Sequence, residues 1–208
     1  MFKIYDISMP IHSDMAVWAN VEAKKPEIRN IAPFAQGGVY ESELRMNLHT
    51  GTHVDAPMHM LEDGAGIETI GLEELAGTAR VVDLTHVSDS ITRADLEPLG
   101  LVRGDWVLFK TANSFSSRFE DDFIYLREDG ARYLIEVGVR GIGTDGIGIE
   151  RSQPDYPTHR PLFRNNIVIV EGLRLADVSA GTYFMVVAPL KLSGVEASPA
   201  RAILIGKP

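Results

Sequence analysis

Apolar and polar positions alternate along this chain with two periods, and the shorter one dominates. Strand-like runs rich in β-branched residues cover 2–7, 39–48, 79–84, 106–110, 141–144, 167–171, 183–190 and 202–205. Helical signals are fewer. Thr92 followed by Asp95 resembles a capping box with Gly100 as the stop. Residues 128–137 have helical periodicity ending at Gly138, and 72–75 predict a very short helix. Strands with helices between some of them predict an α/β or α+β chain on a mixed sheet. Segments 9–38 and 112–124 fit neither period, and long loops of that kind are usually functional or mobile.

Composition narrows the picture. The chain has 208 residues, 45% hydrophobic and 24% charged, which suits one soluble domain spanning 1–208 with a core large enough to need no staple. It contains no cysteine, so disulfides, thiolate nucleophiles and cysteine zinc sites are excluded. A net charge of −9 repels phosphate backbones and anionic membranes, which argues against nucleic acid and membrane partners. No run approaches the roughly 18–20 apolar residues of a membrane span. The opening Met-Phe-Lys-Ile-Tyr-Asp reads as a strand rather than a signal peptide, and a cytoplasmic location is expected.

Six histidines are present, and three of them crowd into His49-Thr-Gly-Thr-His53-Val-Asp55-Ala-Pro-Met-His59. Imidazole and carboxylate together are the common ligands of a borderline cation such as Zn²⁺ or Mn²⁺. The i, i+4 spacing of His49 and His53 would suit a helix, but Gly51 and Pro57 oppose one. On a straight strand their Cα atoms would stand roughly 13 Å apart at about 3.3 Å per residue, too far to share an ion. A strand that bends or bulges at Gly51 is therefore expected. His53 and Asp55 then share one face, and Pro57 ends the extended segment and turns His59 inward. Further donors are sought in His159, within a proline-rich loop, and in Glu171, at the end of the apolar run Ile167-Val-Ile-Val-Glu171. A carboxylate ending a buried strand is costly unless it is paired or metal-bound; a strand-end salt bridge for Glu171 and a solvated loop position for His159 are the plainer alternatives. His12 and His86 lie outside any cluster and suit solvated or structural roles.

Residues 49–59 match His-x-Gly-Thr-His-x-Asp-x-Pro-x-His at every fixed position, and in this the chain resembles the cyclase family of metal-dependent hydrolases, which includes bacterial kynurenine formamidases and isatin hydrolases. The resemblance extends over Asp6-Ile7-Ser8-Met9-Pro10, residues 79–85, residues 138–145 and the His159, Asn166, Glu171 block. It implies a swivelling β/β/α fold, a strand-rich, mixed, barrel-like sheet flanked by a few helices, in a homodimer or larger homo-oligomer. It also implies a divalent metal cofactor at a two-ion site, zinc first and manganese next. His49 and His53 would bind one ion, His159 the other, with Asp55 and Glu171 bridging and His59 as acid/base. Trp18 falls where formamidases place an aromatic lining the substrate pocket, packing over the core edge being its plainer reading. This chain continues Ala19-Asn20-Val21 where those enzymes often have Pro-Gly-Asp, so its substrate-facing loop differs.

The chemistry expected of such a site is hydrolysis of a small non-peptide amide, either an aryl formamide such as N-formylkynurenine or a cyclic amide. Metal coordination lowers the pKa of water from 15.7 to about 7, giving hydroxide at neutral pH. His59 would relay a proton to the leaving amine. A metal-assisted lyase or dehydratase could use the same ligands, and a metal-binding scaffold with a dead site is the non-enzyme alternative. Gly141-Ile-Gly143-Thr-Asp-Gly146 fits a dinucleotide fingerprint by letter, but a helical pattern precedes it and no helix follows, so it reads as a strand and glycine turn. No Gly-x-Ser-x-Gly elbow is present for a serine hydrolase.

Overall fold

Alternation within the central strands builds two cores from one sheet. In the strand Trp106–Lys110, Trp106 and Leu108 point into one apolar cluster and Val107 and Phe109 into the other. The computed structural model describes residues 2–207. Among them the strands are β1 (Lys3–Asp6), β2 (Glu27–Ala32), β3 (Glu41–Arg45), β4 (His53–Asp55), β5 (Ala76–Asp83) and β6 (Ser90–Ile91). They continue with β7 (Trp106–Lys110), β8 (Tyr125–Leu126), β9 (Gly141–Thr144), β10 (Val168–Glu171), β11 (Gly181–Pro189) and β12 (Ala197–Gly206). Four helices, α1 (Leu72–Leu75), α2 (Arg93–Leu96), α3 (Glu128–Val137) and α4 (His159–Arg164), lie between them.

Eight strands form one mixed sheet in the order β1-β12-β11-β5-β7-β9-β10-β4. The pairs β5–β7, β7–β9 and β9–β10 are parallel and the rest antiparallel. β12 turns the sheet back on itself. Its start, Ala197–Pro199, pairs with β4, and its later residues pair with β11 and β1. The result is the expected α/β fold with a partly closed, barrel-like sheet. Inside lie Val54, Val81, Trp106, Leu108, Val170, Met185 and Leu204, all at most 2% exposed. The second cluster packs β7, β9 and β10 against α2, α3 and α4 through Phe109, Ile142, Leu96, Leu134 and Leu162.

The glycines of β9 face the barrel interior. A Cβ at Gly141 would fall 2.4 Å from Trp106, and one at Gly143 would fall 2.6 Å from Leu108. They are strand glycines that admit large neighbours, as the reading of this segment as a strand and turn expected. α3 ends as the sequence predicts: Gly138 adopts φ 78° and its N–H reaches the carbonyls of Leu134 and Ile135. At α2, Asp95 accepts the Thr92 N–H at 2.8 Å, one half of the expected capping box.

Four expectations need correction. The run 39–48 is strand only over Glu41–Arg45, and it leaves the main sheet to pair with β2. β2 itself lies in the segment 9–38, which reads as loop because its residues have no buried face to impose a pattern. The bent strand at Gly51 is instead a turn: β4 begins only at His53, and Gly51 supplies the turn with φ +74°. His159 opens helix α4 rather than sitting in a loop.

Candidate metal centre and substrate pocket

Strand register assembles the centre. β4 and β10 pair antiparallel with Glu171 opposite His53, so the two side chains rise side by side on one face, and Asp55 follows two residues on. His49 arrives from the turn before β4, where Thr50 donates its hydroxyl to the Lys24 carbonyl at 2.8 Å. Thr52 locks the turn from beneath, donating to the Gly172 carbonyl at 2.6 Å and accepting the Met9 N–H at 2.8 Å. His53 turns Nδ1 to the Gly51 carbonyl at 2.9 Å, which leaves Nε2 facing the carboxylates. Pro57 starts a short 3-10 turn over Pro57–His59, as its fixed φ favours, and that turn delivers His59 to the same cluster. His159 comes from the first residue of α4 and is buried.

Each carboxylate divides its two oxygens between two sets of imidazoles. Asp55 Oδ1 lies 2.9 Å from His49 Nδ1 and 3.2 Å from His53 Nε2, while Oδ2 lies 3.8 Å from His159 Nε2. Glu171 Oε2 lies 3.4 Å from His53 Nε2, and Oε1 lies 3.3 Å from His159 Nε2. Glu171 Oε1 also accepts the Ile149 N–H at 2.6 Å. The His59 ring stacks obliquely 4.1 Å from that of His49. All five predicted ligands and His59 therefore meet, with Trp18 lining the cavity above. His12 and His86 are exposed and lie apart.

Burial sets the electrostatics. Asp55 is 0% exposed, and burial would raise its pKa; the His53 charge and the close approach of the His159, His49 and His53 imidazoles hold it well below the carboxylate range instead. Burial and the Asp55 charge both push Glu171 up, but His159 and His53 bring it down to about 2. Burial would lower His53, yet Asp55 outweighs it, with Glu171 adding, and lifts the imidazole to about 10. His159 rises too, burial being overridden by the nearby carboxylates of Asp55, Glu150 and Glu171. His59 goes the other way: burial lowers it and Asp55 only partly compensates.

A divalent cation fits this donor set. Both Asp55 oxygens and His159 Nε2 are buried without a hydrogen-bond partner. A buried polar atom left without a hydrogen-bond partner is costly, and a cation coordinated by these atoms would remove that cost. Two overlapping groups, His49 with Asp55 and His59, and His53 with Asp55 and Glu171, each bring their ligand atoms within 4.8 Å of one another. These are two candidate sites for a divalent metal cofactor.

Above them opens a cavity of about 220 Å³ lined by Trp18, Lys24, His49, His59, Glu150, Tyr156, His159 and Glu171 among others. Trp18 packs edge-on against Phe119 and Phe123 at 5.7 Å each, joining the two segments that resisted assignment. Gly148 permits that placement, since a Cβ there would meet the indole at 2.6 Å. Sequence reasoning missed Glu150, Tyr156 and Lys24. The one available signal was an acidic residue closing the glycine-rich stretch Gly146-Ile-Gly148-Ile-Glu150.

A buried Asp55 carboxylate left unsatisfied by protein donors, set among imidazoles under an open cavity, fits the class of metal-dependent hydrolases. Residues 5–151 match the family described as "Putative cyclase", and the chain belongs to that family. It is 32% identical over 204 residues to a kynurenine formamidase of Bacillus anthracis, covering 97% of each chain. The structure of a predicted metal-dependent hydrolase from Bacillus stearothermophilus superposes with a TM-score of 0.91 at 50% identity, over 99% of this chain and 98% of the other. Isatin hydrolase A from Labrenzia aggregata shares the fold at a TM-score of 0.87 and 23% identity, over 100% of this chain and 94% of the other. Among the described residues no helix is long and apolar enough to cross a membrane.

Proposed function

We propose that this protein hydrolyses a small aryl formamide, N-formylkynurenine first, at a centre holding two divalent ions. The observation that carries this reading is the division of Asp55 and Glu171 between His53 on one side and His159 on the other. On it, His49 and His53 would hold one ion and His159 the other, with Asp55 and Glu171 shared between them, zinc being the first choice and manganese the second. The relation to a kynurenine formamidase over nearly the whole chain supports the substrate class.

Divalent ions held by these residues would supply a water of pKa about 7 and a polarised scissile carbonyl. The protein does the rest. Asp55 and Glu171 are anchored on paired strands, so the ligand positions need no reorganisation during the reaction. His59 sits half-buried at the cavity wall with its pKa lowered, so its ring is neutral at pH 7 and free to accept a proton. It then passes that proton to the departing aryl amine as water adds across the C–N bond and formate leaves. Trp18 offers a flat apolar face to the aryl ring, and the aromatic pair behind it keeps that face in place.

The same reading expects a cytoplasmic homo-oligomer. Support for assembly comes from the β2–β3 pair, which stands outside the main sheet and exposes Ile28, Phe34, Tyr40 and Leu44. Metal content per chain, measured with formate release before and after chelation, tests the central claim. About two ions per chain and chelator-sensitive formate release are expected. Metal with no formate release moves the substrate to cyclic amides, and a protein that takes up no metal overturns the reading.

A further inference from the structure

Glu150 lies outside both candidate ligand groups, yet it is only 2% exposed at the edge of the cavity. All of its hydrogen bonds go to one element. Its Oε2 accepts the N–H of Thr158 at 3.1 Å, the N–H of His159 at 2.6 Å and Nδ1 of the His159 ring at 2.9 Å. Its other oxygen, Oε1, is buried without a hydrogen-bond partner. The neighbouring Arg151 gives it no counter-charge, because that guanidinium turns to Asp89 and the Phe123 carbonyl.

The start of α4 explains why this matters. Thr158 precedes the helix but spends its hydroxyl on the Leu126 carbonyl at 2.8 Å, so no local side chain caps the first turn. Glu150 supplies the missing acceptor from nine residues upstream. The intervening loop reaches back through Ser152, Asp155 and Tyr156, all at positive φ, a conformation L residues rarely hold without support. The carboxylate thereby fixes the backbone of His159 and the rotation of its ring together. With Nδ1 committed to Glu150, Nε2 is the atom left to face Asp55 and Glu171. Capping alone would need only a neutral acceptor. A buried carboxylate on the far side of a metal-facing imidazole raises the basicity of that ligand as well as orienting it.

We infer that Glu150 is the positioning residue of the metal centre, acting through His159 on one of its two ions and not on the other. This rests on the two-ion reading above. The test is a titration of the metal-free protein with Zn²⁺ alone against a competing chelator, for the wild type, Glu150→Gln, Glu150→Ala and His159→Ala. His159→Ala identifies which equivalent depends on that ring. Glu150→Gln keeps the shape and an acceptor oxygen but loses the charge. It should weaken that same equivalent by about 10- to 100-fold and leave the other within about threefold. Glu150→Ala should lose the His159-dependent equivalent outright; if that variant does not fold, Glu150→Gln alone decides. Equal weakening of both equivalents, or wild-type affinity in Glu150→Gln, would overturn the inference. Failure of the two-ion reading shows separately, as a wild-type protein that takes up fewer than two Zn²⁺ per chain.

Discussion

Two antiparallel pairs of short strands make opposite use of their faces. At the β4–β10 seam, His53, Asp55 and Glu171 are 0%, 0% and 5% exposed. In the β2–β3 hairpin, Ile28 and its cross-strand partner Leu44 are 48% and 54% exposed. Polar groups are inside and apolar groups outside, the reverse of the ordinary rule. The seam is enclosed because β9 and β12 pair on either side of it. Among the described residues no further strand pairs with the hairpin, and beyond its own ladder it is held by local pairs such as Arg29 with Glu43 at 3.4 Å. A lone hairpin is marginal in water. Each region is therefore incomplete in a different way: both Asp55 oxygens at the seam lack a hydrogen-bond partner, and the hairpin lacks an apolar cover.

That contrast can be broken experimentally at several levels. The largest effect is expected from Asp55→Ala, which removes the carboxylate shared by both candidate sites. Bound metal should fall close to zero and turnover with it, read by metal analysis and formate release. Retention of both ions would end the bridging role. His59→Asn comes next: turnover should drop by about 10² to 10⁴ while metal content stays unchanged. Loss of metal instead would make His59 a ligand, which its placement beside His49 and Asp55 also permits geometrically.

Stability separates the two regions directly. Ile169→Ala, in fully buried β10, should cost about 2–5 kcal/mol in denaturant unfolding. Leu44→Ala in the hairpin should change chain stability by no more than about 0.5 kcal/mol. Replacing Ile28 and Leu44 together by lysine should shift sedimentation toward the single chain and leave metal content intact. An unchanged oligomer would show that the hairpin is not the cover. The smallest effect belongs to Trp18→Ala, expected to raise KM several-fold with little change in metal content; a fall in bound metal would mean the indole supports the centre rather than the substrate.

Legibility follows the same division. The central strands β7, β9 and β10 were readable because each buries both faces, and Trp106–Lys110 and Gly141–Thr144 fall where the apolar runs predict. β2 was not, since nothing packs on Glu-Ile-Arg-Asn-Ile-Ala to impress a period on it. His49, His53, Asp55 and His59 were legible as a group because they are close in sequence. Their convergence was foreseen with the wrong device: a turn carries His49 across, where a bent strand was expected. His159 and Glu171, a hundred residues or more from the motif, were legible only as candidate donors, and their roles needed the family resemblance. Glu150 gave no signal beyond its place at the end of a glycine-rich stretch, because its partners are backbone N–H groups and a ring that only the returning loop brings within reach.

The sequence by itself determined the chemistry available: no thiols, a net negative surface, and imidazoles with carboxylates in a motif whose spacing is local. It also determined the strands whose alternating residues must be buried on both sides. Tertiary structure alone decided which donors meet. Closure of β12 onto β4 and the pairing of β10 with β4 set Glu171 against His53, and the start of α4 set His159 against both carboxylates. Those contacts span long stretches of chain, and the cost of taking their charged groups out of water, offset only where the partners meet, is a quantity no local pattern of residues records.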